Sequence, residues 1–485
     1  AMLLKLPVIV TAWSGVLDFC DNETAWLCGY QFAKSESHLS AIHSAWADPD
    51  VDHLAELLRE VHHGDMETRS RRVESAFQRI TQNFKWSDVA DRTELAVDAI
   101  KKQHRLRREP KIGWLSTWNA RCGIAAYSSF LTTSIPDSRL IILASHIPER
   151  TEKDGANVFR CWDASMDETL EHAFDIAIER EIEVMVIQYN FGFYSLETLA
   201  LLVQKLKQRN IGVHIFFHST ADIDGERGRI SLKTVTDVLK QADRLFVHGI
   251  DDLNRLKDMG LVDNLVFFPQ GLMPTISNAK NKIDARPLSG KKVLAAYGFL
   301  LPHKGIQTLI KAFSILAAQN ANWHLLLVTS LYPASVSEHE YHICDGLIHE
   351  HGLVERVTFQ TEYLTDEESQ AWLQQADLIV YPYQKTQESS SAAVRMGLAA
   401  GKPVAVTPLS IFDDVQDAVH VLPGTDVDAL VSGISCIVND GSALLAKAQQ
   451  AELWTQSRQW PVLSHRLINL IDGLANALDL DIGRI

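Results

Sequence analysis

The stretch from Ala376 to Thr407 constrains the fold more than any other part of the chain. Ala376-Asp-Leu-Ile-Val-Tyr-Pro382 has the apolar character of a buried parallel strand, and a short polar loop follows it. Ser389, Ser390 and Ser391 offer N-cap hydroxyls, and Ala392 to Ala400 is a run of good helix formers. Gly401 suits the left-handed residue that ends a helix, and Pro403-Val-Ala-Val406 reads as the next parallel strand. Strand, loop, helix and strand in this order put the loop at the carboxyl edge of a sheet. Backbone N–H groups and the positive end of a helix dipole then face the crevice where open α/β folds bind anions. Glu388 stands at the mouth of that loop, a carboxylate able to accept from sugar hydroxyls. An ordinary crossover with no sugar role would show the same backbone pattern.

A chain of 485 residues exceeds what one core serves, so two domains and an appendage are expected. Its formal charge is −15, from 46 basic and 61 acidic residues, which argues against a nucleic-acid partner. The six cysteines are scattered without metal-ligand spacing, so we expect a reduced, cytoplasmic protein with no metal and no other cofactor. No apolar run is long enough to span a bilayer. The basic run Lys101 to Lys111 is either a solvated linker or a patch that touches anionic lipid at the inner face of a membrane.

Two further strand-to-helix loops frame the chemistry. Ile112-Gly-Trp-Leu-Ser116 leads through Thr117-Trp-Asn-Ala-Arg-Cys122 to Gly123, where a helix starts and a backbone amide can approach a phosphate or sugar closely. Lys291-Lys-Val-Leu-Ala-Ala-Tyr-Gly298 opens a second Rossmann-like half, whose loop Phe299 to Gly305 carries Lys304 before a helix. Lys304 suits a fixed cation for leaving-group charge. Gly212 to Phe217 is a strand with His218 at its carboxyl end, whereas His214 lies within it. Arg395 either faces the ligand or makes a structural salt bridge. The rings of Phe191, Phe193 and Tyr194 either stack on sugar or pack a core. Thr365 with Glu368 three residues on marks a capped helix.

Glu388, followed by Ala399-Ala-Gly-Lys-Pro-Val404, resembles the donor-site signature of the retaining, family-four (group 1) GT-B glycosyltransferases. In that signature a Glu, seven residues and a second Glu lead into Ala-x-Gly-x-Pro-Val. Cys122-Gly-Ile-Ala-x-Tyr127 is similar to the family's first loop, and the resemblance extends over about residues 110–480. It implies an α/β GT-B fold, two Rossmann-like domains facing across a cleft. It implies that Glu388, His218 and Lys304 are catalytic, with Gly123, Gly298, Phe299, Gly305, Ser389, Ser390, Ser391, Ala392 and Met396 at the donor. Two positions depart from the pattern. Met396 stands where the second acid would hold a ribose, and Phe299 where an Arg usually follows the glycine.

Ala1-Met-Leu-Leu-Lys-Leu-Pro-Val-Ile-Val-Thr11 has the shape of Gly397 to Thr407. Residues 1–108 are therefore expected to be the remnant of an upstream glycosyltransferase domain and a linker, unless they form an unrelated helical domain. The other expected divisions are an acceptor-side domain over 109–285, a nucleotide-sugar domain over 286–455 and a crossover helix over 456–485. The function implied is transfer of a hexose, mannose by resemblance to tandem polysaccharide mannosyltransferases. The donor would be a nucleotide sugar, and the acceptor an oligosaccharide or lipid-linked glycan in surface polysaccharide synthesis. A catalytically degenerate glycan-binding or scaffold domain is the alternative, and Phe299 and Met396 speak for it.

Overall fold

The computed structural model describes residues 1–35, 44–102, 109–225, 228–272, 276, 288–385 and 391–478. Glu388, Ser389, Ser390 and residues 103–108 of the basic run lie outside the described residues. The chain forms two compact units, one of residues 1–109 with 472–485, the other of residues 110–471.

In the first unit, β1 (Ile9–Thr11) and β2 (Trp26–Cys28) pair in parallel. β3 (Tyr30–Lys34) and β4 (Ala45–Pro49) form an antiparallel pair. Helices Val51–His63 and Met66–Asn83 follow, capped by the side chains of Asp50 and Asp65. Trp26 locks strand to helix, because its indole N–H donates to Glu60 Oε1 at 2.7 Å and Arg72 lies 4.4 Å over its ring.

The second unit holds two parallel sheets. The first comprises β5 (Ile112–Ser116), β6 (Leu140–Ser145), β7 (Val158–Trp162), β8 (Val184–Tyr189) and β9 (Gly212–Phe217). A small antiparallel pair, β10 (Ile223–Gly225) and β11 (Gly228–Ile230), precedes its last two strands, β12 (Arg244–Val247) and β13 (Leu265–Phe267). Their spatial order is β13-β12-β9-β8-β5-β6-β7. The second sheet comprises β14 (Lys292–Phe299), β15 (Trp323–Ser330), β16 (Val357–Gln360), β17 (Leu378–Tyr381), β18 (Val404–Val406) and β19 (His420–Val421), ordered β16-β15-β14-β17-β18-β19. Each sheet starts at its middle and winds outward both ways, the doubly wound α/β pattern. The reversal falls between β5 and β8 in one sheet and between β14 and β17 in the other, so the loops after these strands border the crevices.

Apolar continuity explains these strands. β5, β8 and β9 are buried along their whole length, as expected where helices cover both faces. Ile306, Leu309, Phe313 and Leu316 repeat at helical spacing and bury one face of helix Ile306–Gln319 against the second sheet. Thr365 and Glu368 form the expected capping box on helix Asp366–Leu373. The last helix, Trp460–Leu478, inserts Trp460, Leu463, Leu467 and Ile471 into the core of the first sheet. Just before it, Leu272 N–H donates to Arg458 O at 2.8 Å, so the strand-end of the first sheet and the returning chain lie side by side.

One succession of elements occurs in both units. β1, a 3-10 turn (Ser14–Asp18), β2 and two helices in the first unit match β18, a 3-10 turn (Ser410–Ala418), β19 and helices Val427–Asn439 and Gly441–Ser457 in the second. The strand pairs are parallel in both. The β3–β4 pair is additional to this plan.

A buried ionic group joins the second sheet to the returning chain. Arg395 and Arg458 are each 2% exposed and both face the Asp414 carboxylate, itself 6% exposed. Arg395 donates to Asp414 Oδ2 and, through its other amino group, to Ser391 O at 2.5 Å. Arg458 Nη1 lies 4.0 Å from Asp414 Oδ2, and its guanidinium stands 4.9 Å over Trp454, whose indole N–H donates to Asp414 O at 3.1 Å. Burial pulls the Arg458 pKa down to about 9; Asp414 opposes the shift and Arg395 adds to it. The sequence left Arg395 open between ligand contact and salt bridge, and the structure makes it a salt bridge. Replacing Asp414 by Asn removes the carboxylate that both buried guanidinium groups face. The cost expected is that of a broken buried pair, roughly 3–5 kcal/mol. Urea unfolding of Asp414→Asn checks this, and a loss below about 1 kcal/mol, the range of exposed pairs, would remove the group from the fold's main supports.

Candidate functional site

On the second sheet the site is built at the reversal between β14 and β17. Gly298 closes β14 with φ 132°, a backbone that L side chains rarely adopt. A 3-10 turn, Pro302–Lys304, then leads to Gly305 at φ 74°. A Cβ at Gly305 would sit 1.9 Å from Pro382 O, so only glycine lets this loop close on the one after β17. Gln384 N–H donates to His303 O at 2.8 Å and fastens the two loops together.

That contact brings Lys304 to its partners. Half-buried Lys304 places Nζ 4.1 Å from the centre of the Tyr383 ring. The buried Tyr383 hydroxyl is 3.2 Å from Ser391 Oγ, and Ser391 caps helix Ala392–Ala399 by accepting from Val394 N–H at 3.4 Å. Lys304, Ser391 and Ala392 are thus brought together through Tyr383, and a Cβ at Gly298 would meet Ala393 Cβ at 3.5 Å. Tyr383 joins them and sequence reasoning missed it. An aromatic two residues beyond the end of a strand at a sheet reversal is the signal that could have found it. Met396 lies elsewhere: it is buried among Val394, Tyr381 and Ile411 in the apolar core. Its thioether fills space in that core.

Phe299 lies on the outer side of this loop. Its ring packs at 5.3 Å from Tyr332 and 6.3 Å from Tyr363, and these rings line a pocket of about 470 Å³ with Arg121, Leu331 and Glu338.

On the first sheet the site is polar but uncharged. His218, just past β9, places Nε2 2.8 Å from Gln188 Oε1 on β8. With the amide oxygen facing the ring, Nε2 carries the proton and Nδ1 is left to accept from a ligand hydroxyl. Burial drives the His218 pKa well below the ordinary histidine range, and His248 adds to the shift, so the imidazole is neutral. Tyr127 and His248 stand 5.2 and 5.5 Å from the His218 ring. His248 Nδ1 donates to Phe268 O at 2.8 Å, and burial takes its pKa down to about 4. Gly123 starts helix Gly123–Thr132 at the surface, and a Cβ there would meet no atom within 4 Å. No steric demand of the fold explains glycine at that position. Phe191, Phe193 and Tyr194 are buried with Trp162 and Tyr189, which resolves them as core.

Residues 291–440 match the family model described as glycosyl transferases group 1. Three solved structures are similar over about three quarters of the chain. A sucrose-phosphate synthase from Thermosynechococcus elongatus has TM-score 0.58 at 18% identity, covering 76% of this chain and 100% of its own. Anabaena HepE in complex with UDP has TM-score 0.59 at 13% identity, covering 75% and 100%. A UDP-forming trehalose-phosphate synthase from Burkholderia xenovorans has TM-score 0.57 at 10% identity, covering 75% and 98%. At these identities the likeness establishes the GT-B fold. No curated protein matches the chain. The enzyme class is that of a glycosyltransferase, carried by the domain over residues 291–440.

The histidines give the site a pH signature. His248 and the core residue His214 both have folded pKa values of about 4, against an ordinary value near 6.5. Each lowered value contributes stability that is fully present above the unfolded pKa and lost as pH falls from about 6.5 toward 4. The slope is about 1.4 kcal/mol per pH unit for each histidine. Urea unfolding at pH 7, 6 and 5 should show His248→Gln losing less stability than the parent over that window, by about one proton's slope. Equal slopes in the two proteins would mean that His248 titrates normally.

Proposed function

We propose that this chain is a retaining glycosyltransferase that moves a hexosyl group from a nucleoside diphosphate sugar to an oligosaccharide or lipid-linked glycan. The observation that carries the reading is the chain of contacts Lys304–Tyr383–Ser391. It sets one cation and one helix N-terminus against the same crevice at the reversal of a parallel sheet. Such a crevice suits a diphosphate leaving group, whose charge grows as the glycosidic bond breaks. The bound UDP of HepE, and the glucose that accompanies it in a second structure, support a nucleotide sugar as donor.

In this mechanism the Lys304 ammonium and the amides at Ala392 take up charge on the departing diphosphate. Tyr383 holds both, the lysine by its ring face and the helix start by its hydroxyl. Glu388 accepts from hydroxyls of the transferred sugar. Neutral His218, fixed by Gln188, accepts another through Nδ1, so both residues act by orientation. The acceptor hydroxyl attacks on the face from which the diphosphate leaves, through an oxocarbenium-like state.

We read the transferred sugar as mannose and the setting as surface polysaccharide synthesis. The protein would lie in the cytoplasm, in peripheral contact with the membrane through the basic run. Among the described residues no single helix is long and apolar enough to cross a membrane. The repeated succession of elements supports residues 1–108 as the closing part of a second glycosyltransferase domain. The rival reading, a non-catalytic glycan-binding or scaffold domain, is favoured by the retreat of Met396 into the core.

The test is a screen of GDP-mannose, UDP-glucose and related donors for binding, hydrolysis and transfer. Lys304→Ala should weaken nucleoside diphosphate binding by roughly 1.5–3 kcal/mol, the worth of a charged hydrogen bond. Glu388→Ala should abolish transfer and keep the nucleotide. A parent that binds glycan but turns over no donor would establish the rival reading.

A further inference from the structure

Helix Met66–Asn83 of the first unit is basic in a chain whose formal charge is −15. It carries Arg69, Arg71, Arg72 and Arg79 against Glu67 and Glu74. Its counterpart in the repeated succession, helix Gly441–Ser457, carries only Lys447 and Glu452. The shared plan of strands and helices therefore does not call for these arginines. Thr68, Arg71, Arg72 and Ser75 recur at steps of three and four residues, so they stand on one face of the helix. That face and the turn bearing Asn22 and Glu23 line a cleft of about 390 Å³, within the range of small-ligand sites.

We infer that this cleft binds an anionic sugar, a hydroxyl-bearing ring that carries a phosphate or a carboxylate. Its two walls are fastened together. Arg79 Nη1 lies 2.7 Å from Asp21 Oδ2, and Asp21 Oδ1 accepts from Glu23 N–H at 2.9 Å and from Thr24 Oγ1 at 3.0 Å. Arg72 is oriented in advance: its guanidinium lies 4.4 Å over the Trp26 ring. Glu60, which stands 4.0 Å from Arg72 Nη1, already accepts the Trp26 N–H. A guanidinium fixed on an aromatic face gives up little freedom when it takes an anion. Arg71 is exposed and makes no hydrogen bond or ion pair among the described residues. Its charge is the least of the influences that hold the Asp65 carboxyl low, which the Thr68 N–H leads. Glu23 sets the polarity of the cleft, because a carboxylate repels a bare polyanion but accepts from sugar hydroxyls. The anionic group therefore belongs against Arg71 and Arg72, and the ring hydroxyls toward Asn22, Glu23 and Ser75. These residues lie in the first unit and Lys304 in the second, so the site is additional to the donor crevice.

Titration calorimetry on the full chain with glucose 6-phosphate, glucuronate, glucose and inorganic phosphate tests the site. One or both anionic sugars should bind, about tenfold or more tightly than inorganic phosphate, and glucose should give no heat. The tighter of the two names the anion. Arg71→Ala should weaken that sugar about tenfold or more and keep the melting temperature of the parent, since the side chain is exposed. Glu23→Ala should narrow the gap between sugar and inorganic phosphate, and Lys304→Ala should leave the affinity for the sugar unchanged. A parent that binds neither anionic sugar at millimolar concentration, or binds inorganic phosphate as tightly, would reduce the cleft to a solvated charged surface. Unchanged affinity in Arg71→Ala, or a loss in Lys304→Ala alone, would place the ligand outside the cleft. Each of these results overturns the anionic-sugar site and leaves the proposed function standing.

Discussion

The Asp414 carboxylate is the constraint on which the geometry of the second unit turns. It lies where helix Ala392–Ala399, the 3-10 turn Ser410–Ala418 and the chain returning at Arg458 meet, and it faces two buried guanidinium groups. Two cations against one anion is an unfavourable ratio in a dry interior. What makes it tolerable is that Arg395 also donates to the Ser391 carbonyl and Arg458 lies on the Trp454 face. The arrangement has a mechanical result. Arg395 holds the residue that caps the donor-side helix, and the same carboxylate holds the chain just before it joins the first sheet. The start of that helix is thereby tied to the passage between the sheets. The influence reaches further: the charge of Arg395 is felt at Tyr127, where it opposes the effect of burial, and at His248.

The two halves of the site differ in charge for a physical reason. On the second sheet a lysine, a helix N-terminus and a glycine loop converge, an environment for a polyanion. On the first sheet the groups are Gln188, an amide that carries no charge, and His218, His248 and Tyr127, whose charged forms burial disfavours. A neutral sugar and its hydroxyls suit such a surface, because each polar atom can accept or donate without the cost of desolvating a charge. The division of labour expected of a GT-B enzyme, nucleotide on one sheet and sugar toward the other, thus follows from which side chains burial leaves ionised.

Much of this was legible in the sequence, and the exceptions have a common cause. The strands around Ile112, Val184, Gly212 and Lys292 are continuous apolar runs, and a run of that kind announces itself. Lys304, Gly305, His218 and Ser391 stood out as candidates because each ends a strand or begins a helix, where backbone geometry limits the choice of residue. Tyr383 and Gln188 were not found. Their places rest on contacts with partners set by tertiary packing, Tyr383 with Lys304 and Gln188 with His218, and no local pattern marks them. Arg395 was ambiguous for the same reason: a helix position says which way a side chain leaves the backbone, but its partner Asp414 comes from the turn beyond the next strand. The aromatics near Asn190 could stack or pack with equal ease, and burial alone decided between them.

Met396 weighs on both readings of the function, and its environment says how. A carboxylate at that position would be buried among Val394, Tyr381 and Ile411, at a cost of several kcal/mol unless the helix rotated to bring it to the crevice. Helix Ala392–Ala399 therefore lies with this position inward, and under the proposed function a ribose is held by other residues. Under the proposed function the loss concerns the nucleoside, whereas the contacts of Lys304 with Tyr383 and of His218 with Gln188 are in place. A domain kept only to bind glycan would have no need of a lysine held on a tyrosine face beside a capped helix. Under the proposed function that fixed charge faces the leaving group. That is where a transferase needs fixed charge, and where a scaffold would have no use for it.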